Sequence, residues 1–400
     1  MSRRLALAAM ALTVTLAAAC SASPDRTVDG GPQRVQVVTP LPADAEIGVG
    51  YRLYAPRDDL LVNGRPAVET FGVTTVVALP DGTIFALQDA RVSIADSDDH
   101  SKGRDRGLAL VMITPEGVGT LVDSPYADRE RGLDVWPLCA STDGELYAID
   151  DRGYRLVARN PSGEWRGVTA PNPVGGPLMG TGDGGPAEQA TVGLLRGCAA
   201  AADGSVYIAD GCVLRRVDPE GTIDTVAGRP ELGDRGSGCG SVDLENRSDP
   251  PTVPLPSYDG PARAAELGAL SALATAPDGS VWMSALRGVQ QFTPDGRLRS
   301  VPIPDALDFP GTIRSLATLP DGTLLAAYGS FGPTGIAALD PAAGVWTILV
   351  PPDEEFTGVA APAPLEDLSL YGAGIAASAD RLYIAVNASA NAGIVVVPWG

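Results

Sequence analysis

Short apolar runs, broken by Asp-Gly and Pro-x-Gly, recur along most of the chain, and the best-formed set lies between Gly180 and Gly228. There Val206-Tyr207-Ile208-Ala209 stands between Asp203-Gly204 and Asp210-Gly211. Asp-Gly between apolar runs predicts a hairpin with a two-residue primed turn, because that turn needs positive φ, which Gly tolerates best. Leu214 to Val217 predicts a third strand, Pro219-Glu220-Gly221 a turn, and Thr222 to Ala227 a fourth strand. The second strand is apolar on both faces, the pattern of a sheet pressed between two neighbours. One such unit cannot bury both faces alone, so it has to repeat.

It does repeat. The same signature returns at Val76 to Ala86 around Asp81-Gly82, and at Leu138 to Ile149 around Asp143-Gly144. It returns again at Leu273 to Met283 around Asp278-Gly279, at Leu316 to Ala326 around Asp321-Gly322, and at Ile375 to Val386 around Ala379-Asp380. Third strands are expected at Leu108–Thr114, Tyr154–Arg159, Gly288–Thr293, Gly335–Asp340 and Ile394–Trp399. Fourth strands are expected at Gly117–Asp123, Trp165–Thr169, Arg297–Pro302 and Val345–Val350.

The central copy carries Gly182-Asp183-Gly184-Gly185-Pro186-Ala187, then Asp203 to Asp210 (DGSVYIAD), then Val217 to Gly228 (VDPEGTIDTVAG). These residues resemble NHL repeats of the GDGGPA/YIAD type, and the resemblance extends in weaker form from about Gly72 to Gly400. It implies an all-β fold, a six-bladed propeller of the NHL/TolB-like kind spanning 33–400. The last copy has only three strands before Gly400, which leaves an edge to be covered. Arg34 to Thr39 has β-type alternation and no local partner, so it is the segment expected to close the last blade. A solenoid is the alternative, and it would need caps at both ends.

Ahead of the repeats, Arg3 and Arg4 precede an apolar stretch from Leu5 to Ala19, the form of a secretory signal peptide over 1–19. Leu16-Ala17-Ala18-Ala19-Cys20 resembles a bacterial lipobox, with Leu one place further upstream than usual. That resemblance implies acylation at Cys20 and a lipoprotein on the outer face of the cell membrane. The alternative is cleavage after Ala19 and a soluble secreted protein. Residues 20–32, rich in Ser, Pro, Asp and Gly, suit a flexible tether.

Net charge narrows the partners. It is −20, and −22 once Arg3 and Arg4 leave with the leader. Such a surface repels phosphate backbones and anionic headgroups, so nucleic acid is excluded and the membrane is reached through the anchor only. Some NHL propellers bind RNA through basic faces, and the acidic balance of this chain counts against that partner. Beyond Cys20, four cysteines (Cys139, Cys198, Cys212 and Cys239) suggest two disulfides in an exported chain, with three possible connectivities. Cys139 and Cys198 sit at equivalent places in successive copies, which favours Cys139–Cys198 with Cys212–Cys239.

Three insertions interrupt the rhythm: Ala90 to Gly107, Ala170 to Leu195 and Arg229 to Gly268. All three are expected on one face, and loops on a rigid scaffold commonly carry recognition. Candidate binding-face residues are Asp96, Asp98, Asp99, His100, Asp183 and Asp234. The cluster Asp96, Asp98 and Asp99 could bind calcium but lacks the Gly and terminal Glu of an EF-hand loop, so a solvated acidic loop is the reading preferred there, and local backbone capping is preferred to metal binding for Asp183.

His100 is the sole histidine, in a hydrophilic insertion. Ser-His-Asp and Cys-His mechanisms need a buried, oriented imidazole, and no G-x-S-x-G elbow is present. Six-bladed lactonases, which the fold resembles, hold a divalent cation with Asp, Glu and Asn in the central channel. The expected innermost strands read ALPDG, ASTDG, AAADG, TAPDG, TLPDG and AASAD, with small and apolar residues ahead of turn aspartates. The expected role is therefore a monomeric, non-catalytic, cofactor-free binding or scaffold module for an extracytoplasmic protein or small ligand. A metal-dependent hydrolase of the lactonase type is the alternative.

Overall fold

The computed structural model describes residues 48–52, 61–62, 65–66, 69–91, 106–115, 119–122, 135–150, 154–172, 180–229, 258–285, 288–303, 312–329, 333–352, 370–371, 374–386 and 393–398. They form six antiparallel sheets arranged as a β-propeller, the architecture expected from the repeats, and a small two-stranded ribbon, Leu61–Val62 with Arg65–Pro66. Blade 1 runs from its inner to its outer strand as Glu69–Ala78, Ile84–Arg91, Arg106–Ile113 and Gly119–Leu121. Blade 2 is Val135–Ala140, Leu146–Asp150, Arg155–Arg159 and Trp165–Gly167. Blade 3 is Leu195–Ala200, Val206–Asp210, Val213–Val217 and Thr222–Ala227. Blade 4 is Leu270–Thr275, Val281–Ala285, Gly288–Phe292 and Arg297–Val301. Blade 5 is Thr312–Thr318, Leu324–Gly329, Pro333–Asp340 and Val345–Val350.

Blade 6 has Gly374–Ala377, Arg381–Val386 and Gly393–Pro398, and its outer strand is supplied from the N-terminal side. The segment that fills this seat is Gly48–Arg52, not Arg34–Thr39, which lies outside the described residues. Gly48 faces Val396 and Arg52 faces Gly393, with an irregularity between Gly48 and Tyr51. Val49 and Tyr51 stand at alternate positions, but the two glycines between and before them weaken the strand signal, and the strand is held by the unsatisfied edge it covers.

The inner hairpin turns also differ from expectation. In blade 1, Gly82 N–H donates to Leu79 C=O at 3.0 Å and Leu79 N–H to Thr83 C=O at 2.8 Å. This is a three-residue loop in which only Gly82 needs positive φ, at 83°. It is the type I turn with a glycine bulge rather than a two-residue primed turn. The aspartate braces the loop from its side chain, since Asp81 Oδ1 accepts from the Thr83 amide at 2.8 Å. Asp203, Asp278 and Asp321 repeat that contact with Ser205, Ser280 and Thr323, each at 2.9 Å. The two-residue turn appears at Gly211-Cys212, between paired Asp210 and Val213, with Gly211 at φ 64°.

Six apolar clusters fill the six blade interfaces. Phe85 and Leu110 pack toward Leu146 between blades 1 and 2, and Leu156 and Ile208 meet between blades 2 and 3. Leu214 and Met283 join blades 3 and 4, Trp282 and Leu324 blades 4 and 5, and Leu325 and Leu382 blades 5 and 6. Val76 and Ile84 against Tyr383 and Ile394 complete the ring from blade 6 back to blade 1. Each fully buried side chain of this kind contributes roughly 1.5–3 kcal/mol, and every blade is needed to cover its neighbours.

Candidate functional site

The inner strands surround a central channel of about 330 Å³ to which all six blades contribute. Hydroxyls tie these strands to one another across the blade boundaries. Thr275 Oγ1 donates to Ala200 C=O at 2.8 Å, Ser271 Oγ to Ile313 C=O at 3.0 Å, and Ser315 Oγ to Ile375 C=O at 3.0 Å. Thr318 Oγ1 donates to the Thr275 carbonyl. Cys139 and Cys198, both in the channel wall, form a disulfide that joins the inner strands of blades 2 and 3, with Cα atoms 5.6 Å apart. That is the pairing favoured by their equivalent positions, and bonds of this kind persist mainly in exported chains.

Five of the six inner strands carry a register break. Leu195 faces Asp210 but Gly197 faces Ala209, which leaves Arg196 as the extra residue. Arg314 is extra between Ile313 and Ser315, Ser271 between Leu270 and Ala272, and Thr74 between Val73 and Thr75. In blade 2 the break falls at Leu138, and Trp136 precedes it. Blade faces are packed against their neighbours, so a residue displaced from the pleat is one that can be aimed elsewhere. Arg196, Arg314, Ser271 and Trp136 all line the channel, and Trp136 is 38% exposed. The two arginines are the charged side chains in that lining.

A second polar cluster lies on blade 3, around Arg215, which is 1% exposed. Its guanidinium meets Asp183 Oδ1 at 2.6 Å and Asp210 Oδ2 at 3.3 Å, and it also donates to the Thr191 and Thr181 carbonyls. Asp210, fully buried, accepts from the Gly193 amide at 2.8 Å and the Gly180 amide at 3.0 Å. Burial pushes the Asp210 carboxyl up, against the pull of Arg215 and the two amides. Burial works against the charge on Asp183 too, but hydrogen bonding from Thr225 and the nearby guanidinium outweigh it and hold its carboxyl below the usual range. Asp183 thus pins its loop to the blade through Arg215 and the distant Thr225 amide. The loop continues as Gly185–Pro186, a fifth outer strand on blade 3, and the 3-10 turn Ala187–Gln189. Gly182 has φ 94°, and a Cβ there would lie 2.8 Å from that of Ala190.

The profile of the teneurin NHL domain matches residues 179–245. The chain is a six-bladed β-propeller whose third blade is similar to an NHL repeat. No curated protein matches this propeller in sequence. Among solved structures, a Bacteroides thetaiotaomicron protein of unknown function is 12% identical, with 88% of this chain covering 75% of that one at a TM-score of 0.52. Virginiamycin B lyase from Staphylococcus aureus is 12% identical over 83% of this chain and 98% of its own, at a TM-score of 0.46. A candidate gluconolactonase is 14% identical over 91% and 97%, at a TM-score of 0.48. At these identities the likeness is one of fold alone.

Of the sequence-nominated residues that are described, Cys139 and Cys198 are joined in the channel wall, and Asp183 lies apart from them. Asp183 belongs to the Arg215 cluster, on the side of blade 3 away from the channel wall. Cys212 is disulfide-bonded, and Cys239, its expected partner, lies outside the described residues. Cys20, Asp96, Asp98, Asp99, His100 and Asp234 also lie outside them. Sequence reasoning missed Trp136, Arg196 and Arg314 because it stopped at the few residues next to each turn. Setting the copies back from Asp-Gly shows the missing signal: TTVVALPDG, WPLCASTDG, RGCAAAADG, SALATAPDG and RSLATLPDG put Thr74, Trp136, Arg196, Ser271 and Arg314 in one column.

Proposed function

We propose that this propeller is an exported, lipid-tethered recognition module that binds an extracytoplasmic partner or ligand through one face and does no chemistry of its own. The observation that carries the reading is topological. Antiparallel order places the ends at Arg91 and Arg106, at Asn172 and Gly180, and at Arg229 and Tyr258 on one rim, where second strands meet third and one blade passes to the next. The three insertions leave the scaffold there, beside the end of the channel that carries Arg196 and Arg314. A lactonase-type centre is the weaker alternative, because guanidinium groups in a channel repel a divalent cation rather than hold one.

Crosslinking in intact cells tests the recognition reading. Wild-type protein is expected to capture a discrete partner, and replacing 230–257 with a short Gly-Ser linker is expected to abolish the capture while the melting temperature holds. Capture that survives replacement of all three insertions removes this reading. The tether is tested separately with labelled palmitate: label is expected on wild-type protein and none on Cys20→Ser. An unlabelled wild-type chain makes the protein a secreted one.

A further inference from the structure

We infer that the insertion-side mouth of the channel is an anion site, which takes a small organic carboxylate with its charged end on Arg196 and Arg314 and its apolar body against Trp136. The inference deepens the recognition reading by giving it a place and a ligand chemistry. Three observations carry it together.

The first is backbone geometry. Both arginines are the extra residue of a register break at the same place in the repeat, on blades 3 and 5, with Ser271 of blade 4 between them. Bulges cost ladder hydrogen bonds and are commonly kept where a side chain must be re-aimed.

The second is electrostatic. The chain carries a formal charge of −20, yet the charges in its channel lining are positive. The other end of the channel is ringed by the turn aspartates Asp81, Asp143, Asp203, Asp278, Asp321 and Asp380, all exposed. A narrow passage with low-dielectric walls focuses such a field, so an anion is drawn to one mouth and kept from the other.

The third is the state of the remaining donors. Ser271, Ser315, Thr275 and Thr318 spend their hydroxyl protons on carbonyls of neighbouring blades, as described above. Arg196 is exposed and makes no hydrogen bond or ion pair among the described residues. A guanidinium is a planar fork that matches a carboxylate in two-point contact. Trp136 supplies a flat apolar surface in the same lining. A cavity of about 330 Å³ suits a small molecule rather than a polymer.

Two measurements on the full mature chain test the site. Quenching of the Trp136 component, taken as wild type minus Trp136→Phe, is expected to be several-fold stronger with iodide than with caesium, against the sign of the net charge. That preference is expected to vanish in Arg196→Gln/Arg314→Gln. Titration with phthalate is expected to saturate, to weaken about tenfold in Arg196→Gln, as for loss of one charge-assisted contact, and to be unaffected by neutral benzamide. Caesium quenching equal to or above iodide, no saturation with phthalate, or saturation unchanged in Arg196→Gln each overturns the proposal. Arg196 is exposed, so its single variant decides the matter even if changing Arg314 disturbs folding. The crosslinking capture reads the insertions and these titrations read the channel, so failure of one is distinguishable from failure of the other.

Discussion

Replacing Arg215 with Met is expected to cost this propeller about 3–5 kcal/mol, read as a fall in the urea midpoint with unchanged slope. The guanidinium is 1% exposed and its buried partner, Asp210, is 0% exposed. Methionine fills a similar volume, so the loss is electrostatic. It strands a carboxylate in the blade with two amide donors and no counter-charge, and it frees the Asp183 loop from its anchor. The control stands next door. Arg216 is 36% exposed and pairs with a 58% exposed Asp203 at 3.4 Å; Arg216→Met is expected to cost under about 1 kcal/mol. Equal costs for the two substitutions would show that the Arg215 cluster does not hold the blade together.

The pH dependence gives that prediction a second edge. In the wild type, Asp183 has a folded carboxyl below its unfolded range, so its contribution is full above the unfolded value, near 3.9, and is lost as pH falls through the folded one. Asp210 runs the other way: a raised carboxyl favours folding most when protonated and loses that advantage as pH rises. Without Arg215, the group that pulls Asp210 down is gone and its carboxyl rises further. The folded variant then binds more protons than the unfolded chain, and its stability climbs as pH drops. The deficit of Arg215→Met is therefore expected to be larger at pH 8 than at pH 5, measured by urea titration at each.

Local periodicity made the blades legible in the chain. Strands apolar on both faces, such as Val206–Asp210, cannot exist outside a stack, and Asp-Gly marks five of the six inner hairpins, with Ala379-Asp380 at the sixth, so the number of blades could be read directly. Features set by a distant partner were not legible. Gly48–Arg52 is a strand only because Gly393–Pro398 presents an open edge to it. Asp259–Pro261 builds on blade 4 the outer strand that Gly185–Pro186 builds on blade 3, and proline at such an edge forfeits no ladder bond. In blade 4 the place of Arg215 is taken by buried Gln290, so only part of the cluster was carried across the repeats. The channel arginines were hidden for a different reason. A register break adds no unusual residue type; it changes where an ordinary arginine points, and only the column seven places ahead of the turn aspartate exposes it.

Removing the Cys139–Cys198 bond should cost about as much as removing Arg215, by an unrelated route. The bond closes a loop with a sequence separation of 59, which holds the second, third and fourth strands of blade 2 and the whole crossing into blade 3. Chain entropy for a loop of that size corresponds to about 4 kcal/mol at room temperature, and the double variant Cys139→Ser/Cys198→Ser is expected to lose close to that in urea. The loss should appear chiefly in the unfolded state, so the folded variant keeps its blades and far-UV spectrum while its midpoint falls. Mild reductant is a poorer test, since Cys212 is disulfide-bonded as well and its loss would add to the effect. An unchanged midpoint in the double variant would mean that the hydroxyl ties and the apolar clusters alone set the spacing of blades 2 and 3. The consequence for the channel separates the two outcomes further. Arg196 lies two residues before Cys198, so a bond that fixes the inner strands also fixes the height at which that guanidinium meets a ligand. The serine pair should then weaken phthalate binding while leaving Arg196 in place, whereas Arg215→Met, on the far side of the blade, should leave it unchanged as long as the protein is folded.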